Sequence, residues 1–327
     1  MDLQKITPWG YGLLLLGLVL APFAGAYPVF VMKLLCFALF ASAFNLLLGY
    51  TGLLSFGHAA FLGGAAYVSG HVVKVWGATP ELGLLAGLLS GAFLGLVMGW
   101  FTIRRQGIYA TMITLALAQM LFFACLQAPQ TGGEDGLQGV PRGKLLGLLD
   151  LADDRVMYYV CLAVVVLAFL LIVRTIHSPF GQVLKGIKEN EARAISLGYD
   201  TQRFKLLAFV ISAAVAGLAG ALKTLVLGFA TLSDVHWSAS GHVVLMTLVG
   251  GMGTLSGPLV GAAVVVLLEN KIGDLGQWLA QASGIDWFNS LGEAVTIVTG
   301  LIFVVCVLAF RRGIMGELIA WVGRWRH

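Results

Sequence analysis

Residues 239 to 268 read ASGHVVLMTLVGGMGTLSGPLVGAAVVVLL, and how this stretch is threaded decides the fold. It holds two apolar pieces of about 12 residues, interrupted by Gly250, Gly251, Gly253, Gly257 and Pro258. A membrane-crossing helix needs about 20 apolar residues, so neither piece crosses a bilayer alone. If the whole stretch crossed once, Arg311 and Arg312 would face the side opposite to Arg104 and Arg105. A hairpin of two half-helices or short helices, entering and leaving on one side, keeps these basic ends together, and we adopt that reading.

Outward from the hairpin, the chain supplies eight apolar runs long enough to cross: residues 8 to 24, 29 to 49, 58 to 76, 81 to 103, 108 to 128, 156 to 173, 206 to 228 and 291 to 310. The expected fold is an all-α polytopic membrane protein with about eight full spans plus the broken hairpin, in one transmembrane domain covering residues 1 to 327. Composition agrees: of 327 residues, 59% are hydrophobic and only 11% charged. A soluble chain carries roughly 25% charged residues, so a cytosolic enzyme, a secreted disulfide scaffold, a coiled coil and a disordered tail are excluded. The first run is expected to stay in the mature protein, because no small-x-small site closes it and a second run follows Pro22 and Pro28. Cys36, Cys125, Cys161 and Cys306 lie in apolar runs without a CxxC pair and read as small buried hydrophobes.

With the hairpin in place, both termini are expected in the cytoplasm. Thirteen basic residues then face inward: Lys5, Arg104, Arg105, Arg174, Lys185, Lys188, Arg193, Arg203, Lys205, Arg311, Arg312, Arg324 and Arg326. Five face outward, while Lys33 and Lys223 sit near outer helix ends where their stems can snorkel. The net charge of +4 is thereby accounted for by membrane topology, and no nucleic acid partner is implied. Residues 129 to 155 form a long, acid-rich outer loop, with Glu134, Asp135, Asp150, Asp153 and Asp154. Residues 174 to 205 form the longest inner loop, where Glu189 to Leu197 has helix-forming composition closed by Gly198. At the C-terminus, residues 313 to 327 suit a helix lying in the interface, with Trp321 and Trp325 near its end.

The segment Asn45-Leu-Leu-Leu-Gly49-Tyr50-Thr51-Gly52-Leu-Leu-Ser55-Phe56-Gly57-His58 places three glycines and several polar side chains at the end of a span. Its glycines allow the backbone to unwind, and unwound backbone must face protein or water, so a pathway or gate is expected here. Plain helix packing through small residues is the alternative. The spacing Gly49-x-x-Gly52-x-Leu54-Ser55 returns 201 residues later as Gly250-x-x-Gly253-x-Leu255-Ser256, beside Gly257. Paired breaks of this kind recur in transporters built from repeats, although 43 glycines make a chance match easy. Thr111, Thr114 and Gln119 could share one helical face. His58, His71 and His242 lie near span ends, and each alone reads more readily as structural than catalytic. No Walker A pattern, HExxH, GxSxG or zinc-binding spacing occurs, so neither an ATPase site, a metal nor another cofactor is expected on this chain. No chain of buried acids and bases is apparent, which argues against a self-powered symporter.

The run Gly49-Tyr50-Thr51-Gly52 through Ser55-Phe56-Gly57-His58-Ala59-Ala60-Phe61 and Gly63-Gly64-Ala65-Ala66-Tyr67 resembles the membrane permeases of branched-chain amino acid ABC importers, of the LivM type. Gly186-Ile187-Lys188-Glu189-Asn190-Glu191-Ala192 with Ser196-Leu197-Gly198-Tyr199, and Gly250-Gly251-Met252-Gly253-Thr254 with Gly257-Pro258-Gly261, follow in the family's order. The resemblance implies an inner-membrane subunit paired with a second homologous permease as a heterodimer, two cytosolic ABC ATPase subunits and a periplasmic substrate-binding protein. It implies that Lys188, Glu189, Glu191, Ala192, Arg193, Leu197 and Gly198 couple to the ATPase, in a loop similar to the EAA loop of importer permeases. Glu191 and Gly198 stand seven positions apart here, one more than the usual form. The implied cargo is a branched-chain amino acid or a related small solute, with urea, short amides or aromatic acids as the alternative. An intramembrane enzyme using Ser55, His58 or His71, and a receptor without transport activity, are the competing classes.

Overall fold

The computed structural model describes residues 8 to 23, 25, 27 to 105, 107 to 145, 147, 149 to 283, 300, 301, 303, 304, 308 and 313 to 324. Its helices are α1 (Pro8–Leu20), α2 (Pro28–Thr51), α3 (His58–Lys74), α4 (Pro80–Thr102), α5 (Ile108–Gln127) and α6 (Asp154–His177), then α7 (Pro179–Glu189), α8 (Glu191–Ser196), α9 (Thr201–Leu227), α10 (Trp237–Gly250), α11 (Gly257–Ser283) and α12 (Gly313–Arg324). Pro28, Pro80 and Pro179 open three of them at the first position, where the missing N–H costs nothing.

Among the described residues, five helices are long and apolar enough to cross a membrane: α2, α4, α5, α6 and α9. Each coincides with an expected span. The expected first span contains α1, whose 13 described residues are fewer than a crossing requires, and residues 1 to 7 lie outside the described residues. α3, at 17 residues, is at the lower limit. Most of the eighth run, residues 291 to 310, lies outside the described residues. The outer loop is not formless: β1 (Lys144–Leu145) pairs antiparallel with β2 (Leu149–Asp150), and Arg142 ties the loop to Asp154 at 2.6 Å and to the Val226 carbonyl at 2.9 Å.

α2 and α9 are mostly buried, whereas α4, α5 and α6 turn most of their surface outward. α9 packs along α2, α3 and α4. The α4–α9 seam is made by glycines four residues apart, Gly87, Gly91, Gly95 and Gly99, which fall on one helical stripe; one turn earlier, Gly83 is set against Ser69 and Val73 of α3 instead. A Cβ at Gly91 would stand 2.6 Å from the Ala213 carbonyl oxygen and 2.9 Å from Gly217 Cα. Lipid supplies no hydrophobic drive between helices, so close backbone approach through small residues is what holds such a seam.

The hairpin is present, with a correction to its arms. α10 is short, at 14 residues, but α11 runs for 27 residues, about 40 Å at 1.5 Å per residue, and is no half-helix. The arms touch through Gly250, Gly257 and Gly261, where a Cβ would strike the Gly257, Gly251 and Met246 carbonyls respectively. α12 starts against the same turn, with Gly313 seated on Gly251. Trp325, Arg326 and the end of the expected interfacial helix lie outside the described residues.

Replacing Gly91 with Leu should therefore lower the stability of the folded chain by about 2 kcal/mol or more, as overpacking does. Gly186→Ala, where nothing lies within 4 Å of the added Cβ, should leave the thermal unfolding midpoint in detergent unchanged or raise it slightly. Equal midpoints for the two variants would show that the seam is not close-packed.

Candidate functional site

The repeated Gly-x-x-Gly-x-Leu-Ser spacing corresponds to repeated geometry. α2 ends at Thr51 and Gly52 follows with φ +75°; α10 ends at Gly250 and Gly253 follows with φ +78°. Both are left-handed conformations that side chains with a Cβ rarely adopt. A new helix starts soon after each, at His58 and at Gly257.

The two breaks meet. Asn45 spans them with both ends of its amide: Oδ1 accepts from the Gly253 N–H at 2.9 Å and Nδ2 donates to the Thr254 carbonyl at 2.9 Å. Gly49 lies one turn further along α2, where an added Cβ would come within 2.8 Å of Gly253 N. The Gly49 carbonyl is one of the last four of α2 and so has no helical donor. Lys188, on the last turn of α7, supplies one: its ammonium donates to Gly49 O at 2.6 Å. Its side chain also borders the place of a Cβ on Gly52, at 3.3 Å, and on Gly253, at 4.0 Å. One turn earlier, Lys185 lies 5.8 Å above the Tyr50 ring. Desolvation pulls the Lys188 ammonium below the ordinary lysine range, and nearby Glu189 partly opposes this.

The expected single helix from Glu189 to Leu197 is therefore corrected to two. Lys188 and Glu189 close α7, Asn190 stands between the helices, and α8 begins at Glu191. Asn190 accepts from the Arg193 N–H at 3.0 Å, an N-cap readable in the sequence as Asn before Glu191. Gly198, at φ +87°, follows α8 as expected. Glu191 does not face outward: its Oε1 accepts from Lys205 at 2.5 Å and Thr201 at 3.1 Å, fixing α8 to the start of α9. Ala192 and Arg193 are exposed, and so are the apolar Ile195, Leu197 and Tyr199.

The remaining predicted residues brace the first break. Ser55 accepts from the Gly57 N–H at 3.2 Å, and Thr114 accepts from the Phe56 N–H at 3.1 Å while donating to Thr111 O at 2.8 Å. Ser256 is buried at the second break, where the Gly257 N–H is taken by Thr254 Oγ1 at 3.0 Å. His58 is fully buried among Phe40, Phe44, Phe61 and Phe209. Its Nε2 lies 3.0 Å from Ser212 Oγ, whose hydroxyl donates to the Ala43 carbonyl at 2.6 Å. That is a packing role between α2, α3 and α9. His71 sits thirteen positions along the same helix, about 20 Å away, so the two do not converge.

One feature escaped the sequence. Lys223 does not snorkel; it is 7% exposed, with its ammonium on the buried Asp234 carboxylate and 5.6 Å from the Phe37 ring. The other Asp234 oxygen takes the Thr231 N–H and hydroxyl in a capping box. The expectation that Lys223 snorkels to the interface is thus overturned. The sequence signal was weak, because the partners stand 11 residues apart across a turn.

Residues 29 to 308 match the family described as branched-chain amino acid transport system / permease component. The chain belongs to this family. It is 28% identical over 262 residues to the high-affinity branched-chain amino acid transport system permease protein LivM of Escherichia coli, covering 72% of this chain and 60% of that protein. A probable LivM of Methanocaldococcus jannaschii is 24% identical, covering 64% of this chain and 63% of its own length. The autoinducer 2 import system permease protein LsrC of Salmonella choleraesuis is 27% identical, covering 58% and 53%. This permease-family chain thus spans under two thirds of the length of these relatives. No solved structure matches it.

Two outcomes follow for this chain. Asn45→Ala removes both amide bonds across the breaks and should destabilise the fold by about 2 kcal/mol, read as a lower unfolding midpoint in detergent. Lys223→Met should be more damaging than the double change Lys223→Met, Asp234→Leu, because the single change leaves a buried carboxylate unpaired at a cost of about 3 to 5 kcal/mol. A double variant no more stable than the single one would remove the pairing argument.

Proposed function

We propose that this chain is the membrane-spanning permease subunit of an ABC importer of the bacterial inner membrane. It would be driven by two separate cytosolic ATPases, paired with a second permease and supplied by a periplasmic binding protein at the outer loop. Branched-chain amino acids are the cargo favoured by family membership and by the names of the LivM relatives. The name of the LsrC relatives, autoinducer 2 import, indicates that similar permeases carry other small solutes. Urea, short amides or aromatic acids therefore remain the alternative.

The observation that carries the mechanism is the Lys188 ammonium on the Gly49 carbonyl. α8 and the Leu197 that caps it present Arg193, Ile195 and Leu197 outward, a small apolar knob with a charged rim suited to a groove in a partner. The Glu191–Lys205 pair and the Asn190 cap make that knob stiff, and the Phe180–Phe204 stack, at 5.6 Å between ring centroids, fastens α7 to α9. Displacement of α8 by an ATPase therefore moves α7, and through Lys188 it reaches the α2 break and the hairpin turn held by Asn45. A coupling element has to make different contacts in its two states, and an exchangeable Lys–carbonyl bond can do so. The enzyme reading loses its geometry, since His58 is sealed among rings and His71 lies far along α3.

Lys188→Met keeps the stem and removes the donor. In vesicles holding the complete transporter, uptake should fall about tenfold, within the 1 to 3 kcal/mol typical of coupling energies, while ATP hydrolysis continues. Exchanging Arg193 and Leu197 for Ala should weaken ATPase association instead. Wild-type uptake by Lys188→Met would exclude it as the transmitting contact.

A further inference from the structure

We infer that the cleft between the end of α4 and the start of α9 holds the headgroup of an anionic phospholipid, from the leaflet on the coupling-loop side. The inference rests on the chain being a membrane permease, but not on what it transports. The cleft has a volume of 340 Å³ and is lined by Trp100, Ile103 and Arg104 from one side and Gln202, Arg203 and Leu206 from the other, with Asp200 at its edge.

Its chemistry fits a phosphodiester. The Arg104 guanidinium lies 5.1 Å from the centre of the Trp100 ring, an arrangement that steadies the cation while its N–H groups stay in the guanidinium plane for an oxyanion. Arg203 is tied to Asp200 through Nε, at 2.8 Å. Two guanidinium groups against one carboxylate leave the cleft one positive charge in excess, the complement of a single phosphodiester. The amino end of α9 adds no further charge to this balance, because Asp200 already caps it, its Oδ1 accepting from the Arg203 N–H at 3.2 Å.

Position selects a lipid over a soluble anion. Both helices are membrane spans, so the cleft sits where a span meets the aqueous phase. Trp100 is 57% exposed and Leu207, next to the cleft wall, is 54% exposed, which gives the acyl chains an apolar surface below the headgroup. Tryptophan at this level and basic pockets between spans on the inner side are the features that recruit anionic headgroups.

The test is native mass spectrometry of the full chain, purified with any accompanying subunits and titrated with phosphatidylglycerol or phosphatidylethanolamine. Wild-type protein should retain one phosphatidylglycerol with roughly tenfold preference over phosphatidylethanolamine. Arg104→Gln with Arg203→Gln should reduce that retention about tenfold or more, whereas Arg174→Gln, at an exposed arginine on α6, should not change it. Equal retention of the two lipids by wild-type protein overturns the proposal without reference to any variant. So does undiminished retention by the double variant, or displacement of the lipid by excess inorganic phosphate, which would mark a soluble-anion site. Lipid counting makes no use of uptake, so failure here leaves the transport reading standing, and the reverse.

Discussion

Backbone polar groups inside a bilayer must find their partners within the protein, and the architecture of this permease-family chain turns on that constraint. A continuous helix satisfies them automatically, but α2 and α10 are both interrupted by a left-handed glycine. Each interruption leaves carbonyl and N–H groups that the next helix does not collect. Asn45 collects two at the hairpin turn, Lys188 collects Gly49 O, and Ser55 and Thr114 collect two N–H groups ahead of α3. The breaks are therefore tied together by side chains rather than left open to lipid. Contacts of that kind can be exchanged without unfolding a span.

The same economy governs charge. Lys223 and Asp234 can remain deep in the protein because each neutralises the other and the carboxylate also receives the Thr231 N–H and hydroxyl. In low dielectric the pair is weak evidence for net stability, yet separating it would be costly. It pins the turn before α10, and so the entry of the hairpin, to the far end of α9. Lys205 and Glu191 play the corresponding part at the near end. One long helix thus carries, at its two ends, the anchors of the hairpin and of the exposed α8.

Much of this was legible in the chain. The five strongest spans fall where apolar length placed them, the glycine-broken stretch folds as a hairpin, and the Gly49–Gly52 and Gly250–Gly253 spacing marks two like breaks. These features follow from short-range rules of apolar length and glycine conformation. The errors arose where a local pattern had two solutions. Glu189 to Leu197 reads as one helix until Asn190 is recognised as a cap, and Lys223 reads as a snorkelling stem until Asp234 is brought against it.

Sequence alone determined that the chain is built of apolar helices suited to lipid, where the five strongest of them run and where α2 and α10 break, because burial cost and backbone freedom are properties of each segment. Only the tertiary structure decided that Lys188 faces Gly49 rather than a partner, that Glu191 is spent on Lys205, and that Lys223 meets Asp234. Those outcomes depend on which helix ends are brought side by side. A long cationic side chain reaches carbonyl, carboxylate or water equally well, and the choice is made by the nearest unpartnered group that packing supplies.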